Sequence, residues 1–181
     1  MADTKISALT ELAAQPAADD LALIVDISDT SMAASGTDKK IQYSNLMGGA
    51  WQTWSPTFAN FTKGSATIDA KYIQIGKIVH YRLSVKLAAD SSMGSSPTFT
   101  LPVTSVSYGT TGIFIVGVGT VLDNGTASYR MKVFWNSTTI AAIGVPKADG
   151  TYQSDTAITA TVPMTWTTND EFNCSGTYEA A

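Results

Sequence analysis

Cysteine is the first scarcity in this 181-residue chain. Cys174 stands alone, so neither an intrachain disulfide nor a cysteine-built zinc site can form. Histidine is as rare: His80 has no second imidazole with which to share a metal, and no Gly-x-Ser-x-Gly elbow is present for a nucleophilic triad. Charged residues make up 14 % of the chain, against the roughly 25 % usual in soluble domains. The missing basic patch argues against a nucleic-acid partner. The longest apolar run, at 112–119, is too short to cross a bilayer. The opening residues lack the basic flank and continuous apolar core of a secretory signal. The expectation is synthesis in a cytoplasm, with no membrane insertion.

What charge there is lies unevenly. Residues 1–50 hold three lysines against seven carboxylates, whereas residues 51–181 balance eight against eight, so the net −4 belongs to the first segment. That segment has its own pattern. Leu9 and Leu12, behind Ser7, offer a short helical turn that Pro16 ends, with Ile6 just ahead of it. From Leu21 the period changes to two: Leu21, Leu23, Val25 and Ile27 share one face of an expected strand, with Ala22, Ile24 and Asp26 on the other. A polar turn closing at Gly36 follows, and then a second short strand with Ile41, running toward Leu46. These few aliphatics cannot hold so many residues in order by themselves, so the segment is expected to dock onto something through them. Two glycines at 48–49 mark a hinge, giving a division into 1–47, a hinge at 48–50, and 51–181.

The rest reads as all-β. Val79, Tyr81, Leu83, Val85 and Leu87 alternate with His80, Arg82, Ser84 and Lys86, and Tyr129, Met131, Val133 and Trp135 alternate with Arg130 and Lys132. Asp123-Asn124-Gly125 signals a tight turn. The run at 112–119 is apolar on both faces, as suits a central strand or a subunit contact. "TFTLPV" reads as a short edge-like strand, and 138–145, 156–166 and 171–178 supply three more candidates. About eight strands with regular turn signals predict an antiparallel β-sandwich of jelly-roll type.

No constellation of residues reads as catalytic, so the expectation is a non-enzyme with no cofactor and no metal site. His80 falls on an outward face beside Arg82. The acidic pairs Asp19–Asp20 and Asp170–Glu171 read as turn and cap chemistry, and Asp26, Ser28 and Asp29 lack the spacing of an EF-hand. The glycines at 117 and 119 lack the lysine of a phosphate loop and point to close backbone approach. Tyr108 with Thr110, and Tyr152 with Gln153, lie in loop-like segments at 107–112 and 149–155. Each tyrosine could grip a sugar or a protein epitope, or simply cap the edge of the sandwich.

Several separated elements of the first segment occur in a recurring order. They are Lys-Ile-Ser-x-Leu at 5–9, Pro-Ala-x-Asp-Asp at 16–20 and Val-Asp-x-Ser-Asp-Thr at 25–30, then Ala-x-Gly-Thr at 34–37, Lys-Lys-Ile at 39–41 and Asn-Leu at 45–46. The segment resembles the N-terminal region of virion proteins of tailed bacteriophages, especially tail-fibre and head-fibre proteins. The remainder is similar to small phage jelly-roll modules through Trp-x-x-Trp-x-Pro-x-Phe at 51–58, Tyr-x-x-x-Gly-Lys at 72–77 and Phe-x-Leu-Pro at 99–102. The resemblance implies a virion location, with attachment to tail or capsid proteins through 1–47 and a homotrimeric knob at 51–181. It further implies either adhesion to a host-surface glycan or protein as a short tail fibre, or decoration of the capsid as a head fibre.

Overall fold

The computed structural model describes residues 20–42, 50–109 and 114–181, and the chain divides into two compact units, 1–50 and 51–181. The helical turn expected at 7–14 lies outside the described residues, as do Ile6, Leu9, Leu12, Leu46 and Thr110. Among the described residues there is no helix, and so none long and apolar enough to cross a membrane.

The first unit contains one antiparallel hairpin, β1 (Leu21–Asp26) with β2 (Thr37–Gln42), paired from Leu21 opposite Gln42 to Asp26 opposite Thr37. Ile27 does not continue the apolar row, because the strand ends at Asp26 and Ile27 enters the turn. The connecting loop is held by its own polar side chains. Asp26 Oδ1 accepts the Ser28 amide at 3.0 Å, Asp29 Oδ1 accepts the Ser31 amide at 3.0 Å, and the Thr37 hydroxyl donates to the Asp29 carbonyl at 2.7 Å. Gly36 closes the loop at φ +119°, with no room for a Cβ against the Asp26 carbonyl and Val25.

The second unit is one continuous path of antiparallel strands. In chain order they are β3 (Gln52–Thr53), β4 (Phe58–Thr62), β5 (Thr67–Ile75), β6 (Ile78–Lys86), β7 (Ser92–Thr100), β8 (Ile115–Asp123), β9 (Ala127–Ser137), β10 (Ile140–Lys147), β11 (Ser154–Ala157) and β12 (Glu171–Glu179). The spatial order is β3-β5-β6-β12-β8-β9-β10-β7-β4, with β11 added to the free part of β10. The path folds over so that its two arms face each other. Phe99 of β7 lies 6.2 Å from the ring of Tyr81 on β6, and Phe61 of β4 lies 5.7 Å from Phe172 of β12, although neither pair is on neighbouring strands. Between the arms is the core that the alternation called for: Val79, Tyr81, Leu83 and Val85 of β6 and Met131, Val133 and Trp135 of β9 are all buried. The all-β antiparallel class expected from the sequence is therefore the one observed, and ten strands replace the expected eight.

Two local expectations are corrected. β7 is no edge strand, since it pairs with β10 on one side and β4 on the other. The segment 156–166 is strand only as far as Ala157. Beyond it the chain turns through a Thr159–Val162 bridge, and the Trp166 indole donates to the Thr159 carbonyl at 2.9 Å. Asp170 does serve turn chemistry, from a fully buried position: it accepts the Thr167 amide at 2.6 Å and the Asn124 amide at 3.0 Å. It thus ties the β8–β9 turn to the approach into β12.

β8 and β12 meet along a seam of glycines. A Cβ on Gly119 would strike the Asn173 carbonyl and come within 2.8 Å of the Cys174 Cα. On Gly176 it would strike the Val116 carbonyl and reach within 2.8 Å of the Tyr81 ring. The Tyr81 hydroxyl reaches past these glycines to donate to the Val116 carbonyl at 3.2 Å. Gly119→Ala is expected to destabilise the protein by about 1–3 kcal/mol in urea unfolding, because backbone must shift to admit the methyl. Gly150→Ala, where a Cβ meets nothing within 4 Å, is expected to stay within about 0.5 kcal/mol of the parent.

Candidate functional site

Two surfaces qualify, one on each unit. On the hairpin, register puts Leu21, Leu23 and Val25 on one face, opposite Gln42, Lys40 and Asp38. All three aliphatics are exposed, Leu23 at 75 %. Ile27 is exposed in the turn, and Ile41 is half-buried on the opposite face, where it pairs with Ala22. Among the described residues of this unit only Gly36 and Thr37 are buried, so the hairpin is an apolar row mounted on a polar loop with no core beneath it. The loop is braced by an ion pair, Lys39 Nζ to Asp29 Oδ2 at 2.6 Å. That pairing, with the Ser31 hydrogen bonds, holds the Asp29 carboxyl down at about 2.

On the sandwich, the outer face of the sheet carries a groove. Register aligns Ser175 of β12, Val118 of β8, Lys132 of β9 and Gly144 of β10 in one row, and Asn173, Thr120 and Arg130 in the next. Val118 is 60 % exposed, so the doubly apolar run at 112–119 buries Val116 and presents Val118 outward. Over these rows lies a cavity of about 860 Å³, lined by Val118 and Pro146 together with Ser128, Arg130, Lys132, Gln153 and Pro163. A smaller depression of about 330 Å³, bordered by Asp69, Arg82 and Asn173, joins it at Val118, Gly119 and Ser175. Lys132 is bound to Asp155 at 2.8 Å and Arg82 lies 3.5 Å from Asp69, whereas Arg130 has no ion-pair partner among the described residues. The larger cavity is lined by two cations and no carboxylate.

The loop residues separate in character. Tyr108 is engaged by the fold: its ring stacks on Phe114 at 5.1 Å and meets Trp135 edge-on at 5.7 Å, while its hydroxyl accepts the Glu179 amide at 2.9 Å. Tyr152 is 86 % exposed in the β10–β11 loop, and Gln153 beside it lines the groove. Of the four residues proposed for receptor contact, Gln153 lines the cavity and Tyr152 is its exposed neighbour in the chain. Arg130 and Val118 escaped sequence reasoning, because alternation shows that they point outward but not that a loop roofs them. His80 is exposed and shares a 2.8 Å hydrogen bond with Thr177. Burial pushes the Cys174 thiol up to about 12, leaving it protonated and inert. Among the described residues no three of histidine, cysteine, aspartate and glutamate gather in a way that could hold a metal ion.

Compared with known proteins, the chain matches no family model, no curated protein and no solved structure.

The depressed Asp29 carboxyl sets the acid behaviour of the hairpin loop. A carboxyl held below its unfolded value of 3.8 contributes order that is complete above that value and is lost as pH falls through about 2. The Ser31 amide resonance is expected to keep its folded shift down to pH 3 and to move near pH 2. In Lys39→Met the movement is expected at higher pH.

Proposed function

We propose that this chain is a non-enzymatic structural protein of a tailed-bacteriophage virion, docked to the particle by its N-terminal segment and presenting the sandwich as a trimeric knob. The observation that carries this reading is the hairpin of 21–42, which displays Leu21, Leu23 and Val25 to solvent and buries almost nothing of its own. A row of that kind is a surface shaped for a partner, and the order of motifs at 5–46 supplies the class of partner, another virion protein. The knob then acts as a short tail fibre, holding a host-surface glycan or protein around Tyr152 and Gln153. Three copies raise weak individual contacts to useful avidity. The jelly-roll kinship of the knob belongs to the same reading.

A second reading, decoration of the capsid as a head fibre, is favoured by the short span between the units. Only residues 43–51 separate the end of β2 from the start of β3, which leaves no length for a shaft. Immunogold labelling of intact particles decides between the two, by tail or by head.

Removing residues 1–47 is expected to leave a folded sandwich that fails to join particles, scored by circular dichroism and by co-sedimentation with virions. Incorporation of the truncated protein would overturn the anchor assignment. Sedimentation equilibrium of the full chain is expected to give three times the 19.1 kDa chain mass, and a monomer at working concentration would overturn the trimer.

A further inference from the structure

We propose that the groove over β12, β8, β9 and β10 binds a carboxylate-bearing saccharide, with Arg130 as the group that takes the carboxylate. The inference deepens the adhesion reading above and rests on it for its biological setting. Four observations converge.

The first is charge. The lining holds Arg130 and Lys132 and no acidic side chain. Lys132 is already neutralised by Asp155, while Arg130 is exposed and lacks an ion pair among the described residues. A guanidinium in that state offers a planar fork to one carboxylate. The second is the character of the wall. Thr120, Ser128, Ser175 and Gln153 bring hydroxyls and an amide, which both donate and accept and so match the hydroxyls of a sugar ring. The third is the floor, where Val118 and Pro146 offer apolar surface to the C–H face of a ring. Tyr152, next in sequence to the lining residue Gln153 and 86 % exposed, has a ring face free for stacking.

The fourth observation separates a glycan from an extended acidic peptide. Peptides commonly bind a sheet by adding a strand to a free edge. Here the groove lies over the face of strands already paired on both sides: β12 between β6 and β8, β8 between β12 and β9, and β9 between β8 and β10. No main-chain ladder is open to a peptide there, and recognition falls to side chains. Two cations in the cavity are too few to track the phosphates of a nucleic acid.

The test uses the full-length chain, titrated calorimetrically with oligogalacturonate, with the same oligomer after carboxyl reduction, and with a glutamate oligopeptide. Oligogalacturonate is expected to bind, and carboxyl reduction to weaken binding at least tenfold. Arg130→Gln is expected to do the same without altering the unfolding transition, and Tyr152→Ala to weaken binding by a smaller factor. No binding of oligogalacturonate, equal binding by Arg130→Gln, or equal binding of the glutamate peptide overturns the proposal. A parallel measurement, retention of the full chain on host cells, keeps the two readings apart. Retention that Arg130→Gln leaves unchanged removes the groove but not adhesion, whereas glycan binding without any retention removes adhesion and leaves the groove.

Discussion

β8 and β12 run so close together that no side chain, not even a methyl, fits between them at Gly119 and Gly176. That approach lets the Tyr81 ring cross the seam and bond to the Val116 carbonyl, and it brings β12 into register with β8 on one side and β6 on the other. The β5–β6 hairpin and the β8–β9–β10 meander pair with each other only through β12 among the described residues. Everything that makes the second unit one sheet therefore passes through a strand-to-strand contact that glycine alone permits. Gly119, on that seam, also lines both cavities beside Val118 on the outer face.

The two units solve the burial problem in opposite ways. The sandwich closes on itself around Tyr81, Phe99 and Phe172 and satisfies its buried carboxylate, Asp170, with backbone amides from two segments. The hairpin leaves Leu21, Leu23 and Val25 uncovered and spends its polar side chains on fixing the loop. Aspartates 26 and 29 are turn-makers, which is why the acidic character of this segment reads as local architecture and not as a cation site. The contrast is between a module that holds its own core and a hairpin that has none.

Period-two alternation made β6 and β9 legible almost residue by residue, because each has one face on the core and one on water. Asp123-Asn124-Gly125 marked its turn for an equally local reason, the left-handed φ of +82° at Gly125. Where the alternation blurred, reading faltered. β7 looked like an edge because Pro102 stops the apolar stretch at 98–103, yet it is covered on both sides. The segment 158–166 has the composition of a strand, but Ile158 and Met164 are buried from a loop. Tyr108 and Tyr152 looked alike in sequence and differ in space, since only long-range contacts with Phe114, Trp135 and Glu179 decide that one is engaged and the other free. The groove was invisible for the same reason. It needs β12 laid beside the β8–β9–β10 meander, a pairing between parts far apart along the chain, with Gln153 of the β10–β11 loop joining the lining.

Because the strand that joins the two arms follows all the others, the sheet acquires its continuity late. While the chain is being synthesised, β6 and β8 can exist as parts of separate hairpins, each with one edge unpaired, until residues 171–179 have left the ribosome. For that interval the glycine seam is an open slot with the right spacing for any flat strand.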